Sequence, residues 1–232
     1  AGGRRPEMMA GHSLGEYSAL CAAGAMSLET AVRLVRFRAE AMQDAVPVGV
    51  GGMAAVIGLA DDAVEAAVAE AREAGCVEAV NFNAPGQVVI AGEKAAVARA
   101  LECAKARGCR RAIELPVSAP FHSSLMQPAA DKLAARLAEI ELGVPEIPVI
   151  ANVDVEVHET PDAIRKALAR QAAGPVQWVR TIERMKAGGI TDIVECGPGK
   201  VLTGLLRRTA PEINGHNVFD AASLAAVLEK LN

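Results

Sequence analysis

Residues Gly11-His12-Ser13-Leu14-Gly15 match the pattern G-x-S-x-G, in which a serine hydroxyl can serve as a nucleophile. Glycines two residues to either side of Ser13 allow a turn too tight for side chains and lift Oγ clear of the backbone. The Leu14 N–H then lies at the N-terminus of the following helix, where free donors and the helix dipole favour an oxyanion. The same five residues also fit a glycine-rich turn with a capping serine.

The context of the motif favours the nucleophile. Residues 6–10 can form a short buried strand, and Tyr17, Leu20 and Cys21 recur at helical spacing before Gly24 ends the helix. A strand, a sharp turn and a helix are the setting that this pattern requires. Ser13 is therefore the candidate nucleophile.

A serine nucleophile needs a base, and His122 is the candidate. It lies in Ser118-Ala119-Pro120-Phe121-His122, a loop just beyond a predicted strand, where catalytic residues are common. His12 adjoins Ser13 and should point away from it, whereas His158 and His216 lie in a polar stretch and a turn. His122 is therefore the remaining candidate for the base.

A buried cation is also predicted. Ser27 can cap a helix that runs to about Asp44, and Arg38 lies in the middle of the apolar stripe of this helix. No acid shares that stripe, so the guanidinium must find an anion elsewhere. The pattern leaves open whether this anion is a distant Asp or Glu or the carboxylate of a ligand.

The order of predicted elements indicates an α/β protein with an inserted subdomain. After a glycine-rich hinge at 49–52, strands and helices follow in the order βαββαβ up to residue 116, which is the ferredoxin-like arrangement. The chain therefore divides into a large α/β domain, residues 1–48 and 119–232, and a ferredoxin-like subdomain, residues 49–118. The large domain is expected to hold a mostly parallel sheet with helices on both faces, as in an α/β-hydrolase core. Its later elements are predicted as strands at 147–153, 190–196 and 215–219 and helices at 161–170, 175–187, 199–209 and 221–231.

Asn81 and Asn83 alternate with apolar Val80 and Phe82 on the second subdomain strand, so both should face one side. From the pattern alone, the simpler interpretation is a solvated strand end before a turn.

The composition excludes several kinds of protein. The chain has 232 residues, a net charge of -4 and 3% aromatic residues, which disfavours nucleic acid as a partner. We expect no membrane-spanning segment, because the longest weakly polar stretch, 45–60, is short and interrupted by glycine and proline. Five cysteines without paired spacing suggest reduced thiols and a cytoplasmic setting, and no spacing typical of a metal site is present.

Five motifs in this order resemble those of malonyl-CoA:acyl-carrier-protein transacylases of bacterial fatty-acid synthesis, and the resemblance covers essentially the whole chain. The motifs are Gly-His-Ser-Leu-Gly-Glu-Tyr at 11–17, Val-Asn-Phe-Asn-Ala-Pro-Gly-Gln at 80–87, Ala-Pro-Phe-His-Ser at 119–123, Pro-Val-Gln-Trp at 175–178 and Glu-Cys-Gly-Pro-Gly-Lys-Val-Leu at 195–202.

The resemblance implies a role for each candidate residue. Ser13 matches the acylated nucleophile, His122 the general base, and Arg38 the arginine that holds the malonyl carboxylate. Gln171 matches a residue whose backbone carbonyl orients the histidine in place of an aspartate. The other implied positions in or near the substrate site are His12, Leu14, Asn81 and Asn83, and Phe121 matches the malonyl-type form of the histidine motif.

The resemblance also implies partners. Malonyl-CoA and acyl carrier protein are the expected substrates, no metal or redox cofactor is expected, and we expect a monomer. Family members carry, before the position of Ala1, a strand and a Gly-Gln-Gly loop that helps to bind the oxyanion, so this chain is expected to lack an N-terminal segment. The alternatives are a serine hydrolase or thioesterase of the α/β-hydrolase type and a non-catalytic fragment that binds the carrier protein.

Overall fold

The computed structural model describes residues 3–117 and 119–231. Ser118, which the sequence places in the loop before His122, lies outside the described residues. The strands are β1 (Met9–Ala10), β2 (Gly51–Ile57), β3 (Val77–Ala84), β4 (Gln87–Glu93), β5 (Arg111–Glu114), β6 (Val149–Ile150), β7 (Asp192–Cys196) and β8 (Asn214–Val218). The α-helices are α1 (Leu14–Ala22), α2 (Leu28–Asp44), α3 (Asp61–Ala71), α4 (Lys94–Ala106), α5 (Gln127–Ala138), α6 (Pro161–Ala172), α7 (Trp178–Ala187), α8 (Val201–Thr209) and α9 (Ala221–Leu231).

The middle of the chain forms a four-stranded sheet with strand order β3-β4-β2-β5, in which all neighbours are antiparallel. Alternation along β2 separates its two faces: Ala54 and Val56 pack with α3 and α4, whereas Met53 and Ala55 lie in the cluster that Phe121 contacts. The second face therefore supports the loop that carries His122.

The parallel strands of the described residues form two separate ladders, β1 with β6 and β7 with β8. Val149 of β6 belongs to a core with α1, α2, α5 and α6, and Ile150 belongs to a core with α7 and α8. Helices thus cover both faces of β1 and β6. Of the mostly parallel sheet expected from the sequence, the described residues form these two short ladders.

Several predicted bounds were wrong. Helix α7 begins at Trp178 and not at Pro175, because Val176 pairs in extended conformation with residue Asn81 of β3. The strand predicted at 147–153 has ladder pairing only at Val149–Ile150. Helix α5 was not predicted at all. Within the described residues, no helix is long and apolar enough to cross a membrane.

Candidate active site

The turn between β1 and α1 presents Ser13 in a strained conformation. Ser13 has φ 52° and ψ −108°, in the left-handed half of the map that residues with a Cβ rarely adopt. A Cβ on Gly11 would lie 1.9 Å from the backbone carbon and oxygen of Gly15, so this approach requires glycine. A Cβ on Gly15 would meet nothing, so the expectation that both glycines are required for space holds only for Gly11.

Asn152, which the sequence did not reveal, holds this turn in place. Its Oδ1 accepts a hydrogen bond from the Ser13 N–H at 2.7 Å, and its Nδ2 donates to the Gly11 carbonyl at 2.8 Å. Asn152 is fully buried and follows β6, the strand that pairs with β1. A polar residue just after an apolar parallel strand was the available signal, because sites lie at the carboxyl ends of such strands.

The Ser13 hydroxyl meets the imidazole of His122. Ser13 Oγ lies 2.8 Å from His122 Nε2, and His122 Nδ1 lies 2.9 Å from the backbone oxygen of Gln171. Because a carbonyl oxygen can only accept, Nδ1 carries the proton and the neutral ring presents an unprotonated Nε2 to Ser13. Gln171 is in the last turn of α6, where helix carbonyls lack intrahelical partners, and one of them is used here.

The imidazole of His122 is neutral at physiological pH. Burial is the main cause that lowers the pKa of His122 from 6.5 to about 4; the charge of Arg38 acts in the same direction, and the bond to Gln171 opposes the shift. The ring is 5% exposed. A neutral imidazole with a free Nε2 can accept the serine proton, as a general base must.

Arg38 reaches the same hydroxyl. One of its terminal nitrogens donates to Ser13 Oγ at 2.9 Å and to Gln171 Oε1 at 3.1 Å, and the guanidinium lies over the Tyr17 ring at 5.4 Å. Arg38 is 7% exposed and forms no ion pair with an Asp or Glu in the described part of the chain. Its Nε has no hydrogen-bond partner there either. The distant protein carboxylate considered from the sequence is therefore not in contact with Arg38, and the geometry favours an anionic ligand.

Gln171 connects these groups through its side chain as well as its carbonyl. Its Nε2 donates to the Ser13 carbonyl oxygen at 3.0 Å and to Glu16 Oε2 at 2.8 Å. The backbone N–H of Asn152 donates to the same Glu16 oxygen at 2.9 Å. The sequence analysis missed Glu16, whose spacing from Ser13 resembles a helix capping box, although Ser13 makes no side-chain cap.

His12 points away from Ser13, as predicted. Its Nε2 donates to Asn83 Oδ1 at 2.8 Å, and its ring lies 5.5 Å from that of Trp178. Burial lowers the pKa of His12, and the Asn83 contact opposes this effect. The structure thus brings Asn83 to the residue adjoining Ser13.

Asn81 does not share this contact. Its Nδ2 is buried without a partner among the described residues, and its strand is bridged to Val176. Register shifts occur between Ala79 and Asn81 and between Phe82 and Ala84, so the simple alternation assumed from the sequence is interrupted. Bulges of this kind re-aim side chains beside active sites.

The Leu14 N–H, in the first turn of α1, has no hydrogen-bond partner in the described part of the chain, and the Leu14 side chain is exposed. An unpaired donor next to a nucleophile can stabilise an oxyanion. The described residues also hold no cluster of His, Cys, Asp or Glu side chains suited to a metal ion.

Comparison with known proteins shows which family this chain resembles. The family model described as acyl transferase domain matches residues 1–229. The malonyl CoA-acyl carrier protein transacylase of Escherichia coli is 53% identical over 228 residues, which are 98% of this chain and 74% of that protein. The crystal structure of an acyl-carrier-protein S-malonyltransferase from Burkholderia pseudomallei aligns with a TM-score of 0.97 at 58% identity, covering 98% of this chain and 74% of the other.

A malonyl-transacylase solved in complex with a type II PKS acyl-carrier protein aligns with a TM-score of 0.97 at 50% identity, covering 99% of this chain and 74% of that one. The family match extends over nearly all of the sequence, and the paired Ser13 and His122 lie within it. The chain belongs to the acyl transferase family, among the malonyl-CoA:acyl-carrier-protein transacylases.

Proposed function

We propose that this chain transfers a malonyl group from coenzyme A to the phosphopantetheine thiol of acyl carrier protein through a malonyl ester of Ser13. The observation that carries the proposal is the buried guanidinium of Arg38, which has no carboxylate partner among the described residues and lies 2.9 Å from the Ser13 hydroxyl. The names of the relatives support the same substrates.

The first half-reaction loads the enzyme. His122 Nε2 takes the Ser13 proton as Oγ attacks the thioester carbonyl of malonyl-CoA, and the carbonyl oxygen becomes an oxyanion within reach of the Leu14 N–H. The intermediate collapses to malonyl-Ser13 as the C–S bond breaks. The protonated Nε2 then gives its proton to the departing coenzyme A thiolate.

The second half-reaction runs the same steps in reverse with a new thiol. His122 takes the proton of the phosphopantetheine thiol, the sulfur attacks the ester carbonyl, and the Ser13 oxygen leaves and recovers a proton from His122. A thioester is exchanged for a thioester, so the overall transfer is nearly isoenergetic and needs no metal or redox cofactor.

Arg38 is proposed to select the acyl group. A carboxylate bound to its planar fork forms charged hydrogen bonds worth about 1.5–3 kcal/mol, which favours malonyl over acetyl by about tenfold or more. Lysine offers a point charge without the fork, so Arg38→Lys should lose most of this preference. His12, Asn81 and Asn83 are proposed to border the bound thioester, and the contact of Asn83 with His12 supports this.

Mass spectrometry after incubation with malonyl-CoA tests the proposal. A stable malonyl adduct on Ser13 is expected, and Ser13→Ala should abolish it. Release of free malonate with a transient adduct would instead identify a hydrolase or thioesterase, and no adduct would indicate a non-catalytic carrier-protein-binding fragment.

Loading from acetyl-CoA supplies the matched control for Arg38. Arg38→Ala should remove the preference for malonyl while acetyl loading persists. Equal loss of both reactions would show that Arg38 is structural.

The same proposal extends to the architecture and setting of the chain. The antiparallel order β3-β4-β2-β5 supports the interpretation of 49–118 as a ferredoxin-like subdomain inserted into an α/β-hydrolase-like domain of 1–48 and 119–232. Five free cysteines support a cytoplasmic location. A monomer remains the proposed state, which size-exclusion chromatography with light scattering can test.

A further inference from the structure

The carboxylate of Glu16 is connected to Arg38, the proposed malonyl-binding residue, through the side-chain amide of Gln171, and it has no step in the transfer. It is 2% exposed, and one of its oxygens, Oε2, accepts from both Gln171 Nε2 and the Asn152 N–H. Burial of an ionised carboxylate is costly, so the ionised form of Glu16 is favoured by a positive charge nearby.

That charge is Arg38, which Glu16 reaches through a single amide. The two protons of Gln171 Nε2 are donated to the Ser13 carbonyl and to Glu16, so the amide can only turn Oε1 toward Arg38. The Glu16 carboxylate therefore accepts from the amide N–H of Gln171, and the amide oxygen of Gln171 accepts from the Arg38 guanidinium. The amide keeps the two charges from direct contact and leaves the guanidinium able to accept a second anion.

The other ionisable groups around Glu16 do not neutralise it. Burial raises the pKa of Tyr17 to about 12, so its hydroxyl stays neutral. Asp154 pairs with Arg170, and its Oδ2 lies 3.3 Å from His158 Nε2. His158 lines a small cavity of about 10 Å³ with Glu16, at most about the room that one water molecule needs. His122, which contacts the backbone of Gln171, is neutral near pH 7.

We propose that Glu16 is the internal counter-charge of Arg38 and takes up a proton from solution when a substrate carboxylate binds to Arg38. The inference rests on the proposed function of Arg38. A bound carboxylate cancels the positive charge that stabilises ionised Glu16 and adds a negative charge nearby, so the carboxylate oxygen of Glu16 gains a proton. The proton is released again when the malonyl group leaves, and an acetyl group, which carries no charge, causes neither event.

The ionisation of Glu16 lies in a range where such a charge can shift it. Burial is the main cause that raises the pKa of Glu16 to about 7, and the charge of Asp154 acts in the same direction. The bonds from Gln171 and Asn152 oppose the rise more strongly than the charge of Arg38 does. Malonyl binding should therefore strengthen as the pH falls through 7, while acetyl binding should not change through this group.

The test measures proton uptake directly, by isothermal titration calorimetry at pH 7 in buffers of different ionisation enthalpy. Ser13→Ala binds acyl-CoA without turnover, so binding is separated from catalysis. Malonyl-CoA should bind with uptake of a fraction of a proton, up to about 0.5, because a group with a pKa near 7 is about half protonated at this pH. Acetyl-CoA should bind with none, and it controls for the ionisation of coenzyme A itself.

The double variant Ser13→Ala/Glu16→Gln assigns the proton. Glutamine keeps an oxygen that can accept from Gln171 and Asn152, so the site should remain folded, which thermal unfolding can verify, and malonyl-CoA should bind without proton uptake. Any of three outcomes would overturn the inference. They are equal proton uptake in the double variant, proton uptake on binding of acetyl-CoA, and malonyl-CoA binding to Ser13→Ala without proton uptake. Malonyl-CoA binding that Arg38→Ala leaves unchanged would overturn the proposed function as well, so the two failures are distinguishable.

Discussion

A methyl group added at Gly11 should open the turn that presents Ser13. The new Cβ would lie 1.9 Å from the carbon and oxygen of Gly15 and 2.5 Å from the Glu16 nitrogen. These neighbours are backbone atoms, and a Cβ has no rotamer by which to avoid them. Gly11→Ala therefore requires the backbone of the turn or of α1 to move.

The expected cost follows from two contributions. Overpacking of a filled site costs about 1–3 kcal/mol, and a clash with backbone belongs at the upper end of that range. Movement of Gly11 also weakens the bond that its carbonyl accepts from Asn152, at about 1 kcal/mol or more. We expect Gly11→Ala to lower the free energy of unfolding by about 3–4 kcal/mol and to abolish Ser13 labelling.

Gly15→Ala is the matched control, because its Cβ would meet nothing within 4 Å and alanine suits the first turn of α1 better than glycine. The free energy of unfolding should be unchanged or higher by up to about 1 kcal/mol. Urea denaturation of both variants and the parent, with malonyl-CoA labelling of each, measures the difference. A Gly11→Ala variant within about 0.5 kcal/mol of the parent, or equal losses in both variants, would refute the steric argument.

Two further outcomes are expected. Asn152→Ala removes the buried partners of the Ser13 N–H and the Gly11 carbonyl, which costs about 1–3 kcal/mol for each group left unpaired. Urea denaturation should therefore show a clear loss of stability, and the loading rate should fall. Unchanged stability would contradict this expectation. Because the lowered pKa keeps His122 neutral down to about 4, the single-turnover rate of acetyl loading should decline on the acid side with a midpoint near 4, and a midpoint near 6.5 would show that the base is not buried as described.

Prediction from the sequence was least reliable where distant segments of the chain pair with each other. The sequence predicts a helix from Pro175 because proline often opens one, but the Val176 N–H donates to the Val80 carbonyl and the Val176 carbonyl accepts from the Phe82 N–H of β3. The same contact joins the four-stranded sheet to the rest of the protein, close to Asn81. The conformation of this segment is set by its pairing with β3, which is distant in the sequence, and not by local helix propensity.

Local patterns were reliable where the physics is local. The glycine at position 11 indicated the tight turn at Ser13, Ser27 caps α2 as expected, and 3.6-residue periodicity placed Arg38 on the buried face of that helix. The order βαββαβ was also readable from alternating patterns, since each element shows its own period.

The sequence by itself therefore determined the sharp turn at Ser13, the buried face of Arg38 and the order of elements, and its motifs indicated the family. Only the tertiary structure decided which distant residues meet Ser13: His122 is 109 positions away, Asn152 is 139 and Gln171 is 158. The Glu16–Gln171–Arg38 connection depends on the orientation of one side-chain amide. Periodicity reports which way a side chain faces relative to its own helix or strand, whereas its partner across the core is set by how the elements pack together.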